Sequence, residues 1–263
     1  LEVTKIYSIA GLMPSKKLIT ERPFRSPHHT ASNISLIGGG RVPKPGEVSL
    51  AHNGILFLDE LPEFNKNVLE TLRQPIEDGV VNISRISASL SYPSKFMMVA
   101  SMNPCPCGYF GDSSNNCNCS PGEIDRYLGK ISYPLLDRID IHLEVSPVKY
   151  EELKDNNPSE TSRQIRERVD GAREIQYKRY KNNSIYTNSQ MNSKEVKKYC
   201  KLSKDNQLIM ENAFKKYNFS ARTYNKILKV ARTIADLDNK ENIEDIHLLE
   251  AIRYRNLNKK YWG

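Results

Sequence analysis

GILFLDELPEF, Gly54 to Phe64, is the stretch that decides the fold. Four apolar residues (Ile55, Leu56, Phe57, Leu58) run straight into two adjacent carboxylates, Asp59 and Glu60. A short unbroken apolar run suits a strand buried on both faces of a parallel sheet. Ligands of such sheets bind just beyond the carboxyl ends of the strands. Asp59 and Glu60 are therefore expected where a nucleotide would lie. One carboxylate there can hold Mg²⁺ and a second can orient water. The same letters also fit a plain buried strand that ends in a polar turn.

This is the Walker B pattern, but its usual partner is missing. No G-x-x-x-x-G-K-[S/T] occurs in the chain. Gly38-Gly39-Gly40 is followed by Arg41-Val42, without the lysine and hydroxyl that cradle phosphates and metal. The chain opens on Leu1 rather than Met. It reads as a piece of a longer protein whose phosphate-binding loop lies upstream.

Composition sets the outer limits. The 263 residues are 38% hydrophobic and 27% charged, enough for one or two domains. No apolar run approaches the ~18 residues of a membrane span, so a cytoplasmic protein with no membrane partner is expected. Charge is unevenly placed. Residues 1–150 hold 15 Lys+Arg and 15 Asp+Glu, whereas residues 151–263 hold 24 and 16. The whole net charge of +8 thus lies in the C-terminal part. A basic domain beside a neutral one suits a polyanionic partner, although solvated helix faces would give the same count.

Two textures meet near Pro147, dividing the chain into 1–147 and 148–263. The first part carries β-like runs at Ile55–Leu58, Val80–Ser84, Phe96–Ala100 and Ile139–Val145. Alternation with helices predicts an α/β layer. The second part reads as helices. Thr161-x-x-Gln164 is a capping-box signature, opening a helix with Ile165, Val169, Ala172 and Gln176 on one face. Ser203 caps a helix through Phe214, and Ser220 caps another that carries Ile227, Ala231, Ile234 and Ala235. Asn242 is expected to cap a fourth, with Ile246, Leu249 and Ile252 inward. Lys181–Asn192 reads as a loop.

Further residues carry chemistry. FMMVASMN (Phe96–Asn103) is a second buried strand ending in a polar amide; beside Walker B, Asn103 can position an attacking water. Arg138, in PLLDRID, presents a guanidinium suited to phosphate oxygens, or else a surface ion pair with Asp137 or Asp140. Arg222 sits in the first turn of a predicted helix, where the dipole disfavours a cation, which suggests an anionic partner. Val80–Tyr92 alternates as a β-hairpin with Arg85 at its tip, a natural phosphate contact. Cys105-Pro-Cys107 and Cys117-Asn-Cys119 crowd four thiols together, a set that fits tetrahedral structural zinc; reduced thiols or a redox pair are the alternatives. Cys200 reads as a small apolar residue. Adjacent His28 and His29 point different ways in most backbones, so a shared metal is not expected.

RPFRSPHHTAS (Arg22–Ser32), GGGRVPKPGEVSLAHNGILFLDELPEF (Gly38–Phe64), LRQPIEDG (Leu72–Gly79), MNPCPCGYFGD (Met102–Asp112), LLDRIDI (Leu135–Ile141) and SARTYNKILKVARTIADL (Ser220–Leu237) resemble the magnesium-chelatase-like AAA+ ATPases of the ComM/YifB family. The resemblance runs along almost the whole chain in one motif order. It implies an AAA+ core with an α-helical lid, assembly as a homo-hexamer, and ATP with Mg²⁺ as cofactors. Asp59 and Glu60 match Walker B, Asn103 the first sensor, Arg138 the arginine finger and Arg222 the second-sensor arginine. It places the His28–His29 segment between the nucleotide core and the pore, which suggests a DNA or remodelling contact. It also places the Arg85 hairpin where related helicases carry a pore-facing hairpin. The expected function is a DNA motor acting in branch migration, recombination or natural transformation. The alternatives are a protein-remodelling or chelatase-type subunit, and a folded module that is inactive alone.

Overall fold

A computed structural model of the chain describes residues 1–13, 18–85, 88–112, 115–146, 160–255 and 262. They fall into two compact units, one comprising Leu1–Ile139 with Trp262 and the other beginning at Asp140. The sequence boundary at Pro147 lies outside the described residues.

The first unit runs α1 (Glu2–Ala10), β1 (Phe24–Arg25), α2 (Asn33–Ile37), β2 (Gly38–Gly39), β3 (Lys44–Pro45), α3 (Glu47–Leu50), β4 (Ile55–Leu58), α4 (Lys66–Thr71), α5 (Arg73–Asp78), β5 (Val80–Arg85), β6 (Ala88–Pro93), β7 (Met97–Ala100), α6 (Pro121–Leu128) and α7 (Tyr133–Leu136). Its main sheet has the order β1-β4-β7, and both pairings are parallel. The decisive stretch is thus the central strand, in register from Ile55 opposite Met97 to Leu58 opposite Ala100. Gly54 leads into it. Any Cβ there would overlap the Pro23 carbonyl that accepts from the Ile55 N–H, so only glycine fits.

Leu56 and Leu58 are fully buried, packed with Leu36, Leu69, Leu72 and Leu135. Each such side chain contributes about 1.5–3 kcal/mol of transfer free energy. The opposite face is different. Phe24 is 62%, Met97 58% and Val99 39% exposed, with Phe24 and Phe57 stacked at 6.2 Å. A strand covered on both faces was the expectation; among the described residues only one face is covered. Ile139–Val145 corrects the reading further, because it forms no strand. Ile141, Leu143 and Val145 point outward, 46%, 68% and 86% exposed. His142 N–H donates to the Tyr254 carbonyl at 2.9 Å, but among the described residues no strand ladder forms over this segment.

The hairpin reading is met by β5 and β6, which pair antiparallel from Val80 opposite Pro93 to Arg85 opposite Ala88. The tip residues 86–87 lie outside the described residues.

The second unit contains α8 (Ser162–Tyr180), α9 (Ser193–Tyr199), α10 (Lys204–Tyr217), α11 (Ala221–Leu237) and α12 (Asp245–Arg253). Thr161, Ser203 and Ser220 cap α8, α10 and α11 through side-chain oxygens. Each satisfies a backbone N–H that a bare helix end leaves unpaired. α9 is an addition: Asn192 and Glu195 form a reciprocal capping box inside what reads as loop-flanking sequence. For α12 the cap is Glu244, not Asn242, with His247 reaching back to it. His247, Leu248, Ala251 and Ile252 face inward, leaving Ile246 62% and Leu249 44% exposed.

Ile227, Ala231, Leu248 and Ala251 centre the core. Beside it sits a buried polar clasp. Asp236, 1% exposed, accepts from both Arg179 and Arg232. Asn188 adds an amide at 2.8 Å. Arg232 also donates to the Glu241 carbonyl at 2.6 Å and to that of Lys240. A buried charge is tolerated when paired and hydrogen-bonded, so Arg232 ties the turn after α11 to the bundle.

Candidate active site and metal centre

β4 ends at Leu58, and Asp59 and Glu60 follow at its carboxyl end. The neighbouring strand closes the corner. Ser101 N–H donates to the Leu58 carbonyl at 3.0 Å, and Leu61 N–H donates to the Ser101 carbonyl at 2.9 Å. The Ser101 hydroxyl donates to Asp59 Oδ1. The Glu60 N–H donates to the same oxygen at 3.0 Å. Both contacts fall on one oxygen, which restrains the carboxylate at the strand end.

Glu60 has φ 51°, in the left-handed region. For a residue with a Cβ this costs about 1–3 kcal/mol, and such residues cluster at functional sites. The Glu60 side chain is 59% exposed and lies 3.3 Å from His29 Nδ1. His29 follows β1, the other neighbour of β4. Its ring contacts His28 at 4.1 Å and the edge of Phe64 at 6.4 Å. The histidine pair thus meets a carboxylate, a contact invisible in the sequence. Ser101 was equally hidden; the only signal was a hydroxyl directly after an apolar strand.

Asn103 lies two residues beyond Ser101 and is exposed. Its backbone hydrogen-bonds the phenol of Tyr127 on α6. Burial, with Glu63 nearby, pushes that phenol up to about 12, so it stays a neutral hydrogen-bonding group. Asp59, Glu60, Ser101 and Asn103 therefore share one edge of the sheet. Arg138 follows α7. It donates to the Pro134 carbonyl at 2.7 Å and to the Glu77 carboxylate on α5. Its side chain is 12% exposed. Glu77 is thus one carboxylate partner of Arg138. Arg222 is in the second unit, exposed in the first turn of α11 behind the Ser220 cap. Arg85 ends β5.

The four cysteines converge. Their sulfurs all lie within 4.8 Å of one another. Cys105 Sγ is 3.4 Å from Cys107 and 3.7 Å from Cys117, and Cys107 is 3.6 Å from Cys117. A tetrahedron with Zn–S of about 2.3 Å has edges of about 3.8 Å, so the donor set fits that ion. The electrostatics agree. Backbone hydrogen bonds from Tyr109 and Asn118 draw Cys107 down to about 6. At Cys119 the Cys107 backbone pulls the same way, but burial and the three neighbouring thiols outweigh it and push the group up to about 12. Four clustered thiols cannot all ionise without a cation among them. Cys200 is separate, buried after α9, and burial pushes it up to about 11.

A parallel sheet with acidic residues at the end of its central strand, followed by a helical unit, is the α/β core and helical region of an AAA+ protein. The profile described as magnesium chelatase, subunit ChlI, matches residues 1–153. That described as magnesium chelatase, subunit ChlI C-terminal, matches residues 159–255. The chain belongs to the magnesium-chelatase family. It is 48% identical over 236 residues to the competence protein ComM of Haemophilus influenzae, covering 89% of this chain and 45% of that protein. It is 43% identical over 260 residues to YifB of Escherichia coli, covering 98% and 50%. A more distant relative is the chloroplastic magnesium-chelatase subunit ChlI-2 of Arabidopsis thaliana, 25% identical over 136 residues, covering 48% and 27%. The chain spans about half the length of ComM and YifB. Among the described residues no helix is long and apolar enough to cross a membrane.

Proposed function

We propose that this chain is part of a hexameric AAA+ ATPase that works as a DNA motor. The observation that carries the ATPase reading is the corner at the end of β4, where Ser101 orients Asp59 and a strained Glu60 projects outward. Bound Mg²⁺·ATP supplies the phosphoryl chemistry. Asp59 would hold the metal; Glu60 would accept a proton from the attacking water, and Asn103 would orient that water. Arg138 would act across a subunit boundary on charge developing at the terminal phosphate, and Arg222 would contact the nucleotide from the helical unit. Arg85 would touch DNA phosphate. Support for the DNA assignment comes from the positive charge of residues 151–263 and from the competence role in the name of one relative. A protein-remodelling or chelatase-type subunit is the second reading, favoured by the magnesium-chelatase family matches and by the distant chelatase relative.

ATP hydrolysis by the full-length protein, measured with and without single-stranded or forked DNA, tests the reading. Stimulation by DNA that fades with salt is expected. No measurable DNA affinity at low salt would put remodelling ahead.

In the same reading, Cys105, Cys107, Cys117 and Cys119 hold one structural Zn²⁺. Metal analysis of protein purified without chelator should find roughly one zinc per chain. Because a structural zinc contributes directly to folding, chelation should lower the melting temperature. Absence of zinc, with the four thiols freely titratable in the native protein, would remove the assignment.

A further inference from the structure

In the helical unit a cavity of about 460 Å³ opens between α8, α9 and the turn joining α11 to α12. That volume suits a small ligand group. Its wall carries five cations, Arg179, Lys198, Lys201, Arg232 and Lys240, against one carboxylate, Glu241. The cations divide by role. Arg179 and Arg232 are clamped on buried Asp236 and form a fixed floor. Lys240 is 3.3 Å from Glu244. Among the described residues, Lys198 and Lys201 pair with no carboxylate. Lys198 is nonetheless held, its ammonium 4.9 Å from the centre of the Tyr199 ring. Tyr199 in turn accepts from Asn183 at 3.1 Å. Hydrogen bonds from Lys198 and Asn183 lower the Tyr199 phenol below its ordinary range.

The surrounding sequence extends the charge. Lys194, Lys197, Lys198, Lys201 and Lys204 fall on or beside α9. A concave site with an anchored guanidinium floor and unpaired ammonium groups at its rim is matched by an anion of several charges with oxygen on its surface. Phosphate is that anion, and lysine binds it as a point charge.

We propose that this pocket grips the phosphate backbone of a single-stranded nucleic acid, with Lys198 and Lys201 as its contacts. The inference rests on the DNA reading and adds a second contact surface, away from the β5–β6 hairpin. A free nucleotide offers the same phosphate chemistry, and the test separates the two sources.

Fluorescence anisotropy of a labelled oligo-dT strand, titrated with the full-length protein at several salt concentrations, reads the contact. The double variant Lys198→Gln/Lys201→Gln should bind roughly tenfold more weakly. Its slope of log affinity against log salt should shrink by about 1.4, since each single-strand phosphate contact contributes about 0.7. The charge-matched pair Lys215→Gln/Lys216→Gln, at the end of α10 and outside the pocket, should change affinity less than about twofold. Lys198→Arg/Lys201→Arg should keep binding, which guards against a folding defect. Equal losses in the two glutamine pairs, or none in the pocket pair, would overturn the proposal while leaving the DNA reading intact. Displacement of the strand by dAMP at equal phosphate concentration would overturn it in favour of free nucleotide. A wild-type protein with no strand affinity at low salt would end both.

Discussion

Glu60→Gln in the full-length protein should lower ATP hydrolysis by roughly 10²–10⁴-fold, the range for loss of a positioned general base, while ATP still binds. The exchange is nearly isosteric, so the left-handed turn at Glu60 and the hydrogen bond from its N–H to Asp59 should persist. What disappears is a carboxylate that can take a proton from water. Asp59→Asn should act differently, weakening Mg²⁺·ATP binding itself, because a hard cation prefers the charged oxygen. Phosphate release and titration with a fluorescent nucleotide separate the two outcomes. His29→Ala is a useful companion. Since His29 lies 3.3 Å from the Glu60 carboxylate, its removal should change kcat by less than about tenfold and leave KM alone, as for a group that positions the base. Wild-type turnover in Glu60→Gln would sink the assignment, whatever His29 does.

How much of this was legible depends on which interactions are local. β4, β7 and the β5–β6 hairpin follow from apolar runs and alternation within six residues or so, and they were read in place. The caps at Thr161, Ser203 and Ser220 are likewise local, a hydroxyl three residues ahead of the N–H it accepts from. The errors occur where the outcome is set elsewhere in space. Ile139–Val145 alternates like a strand, but a strand forms only if a neighbour offers its backbone. The buried face of α12 is set by packing in the bundle: His247, Leu248 and Ala251 turn inward with Ile252, while Ile246 and Leu249 stay out.

The candidate site divides the same way. Asp59, Glu60 and Asn103 were readable as polar residues at strand ends. Ser101 and His29 were not, because their roles come from strands β7 and β1 lying on either side of β4. Arg232 was hidden in the same way: nothing local marks it as buried, and it is a clasp on Asp236. The four cysteines were legible because a crowded spacing leaves the chain few ways to keep them apart.

Arg138→Ala should collapse hydrolysis by roughly 10³-fold or more, the magnitude of an arginine that stabilises charge at a transferring phosphate. In the isolated chain its guanidinium is occupied, bonded to the Pro134 carbonyl and to Glu77. Those contacts offer a rival account in which Arg138 merely fastens α7 to α5. The rival is separable. Glu77 is 44% exposed against 12% for Arg138, and with one partner in solvent such a pair is worth about 1 kcal/mol, too little to unfold a domain. If fastening were the whole role, Glu77→Ala would reproduce the loss of activity. If Arg138 serves a neighbouring subunit, Glu77→Ala should leave hydrolysis within a few-fold of wild type, and DNA affinity with a non-hydrolysable ATP analogue should survive Arg138→Ala. Subunit mixing carries the argument to its end. Neither Arg138→Ala nor Glu60→Gln should hydrolyse ATP appreciably alone, yet in a mixed ring some boundaries would pair an intact Glu60 with an intact Arg138. Activity should therefore reappear on mixing and peak near equal proportions. A mixture as inactive as its components, in rings shown to exchange subunits, would mean that both residues act within one chain.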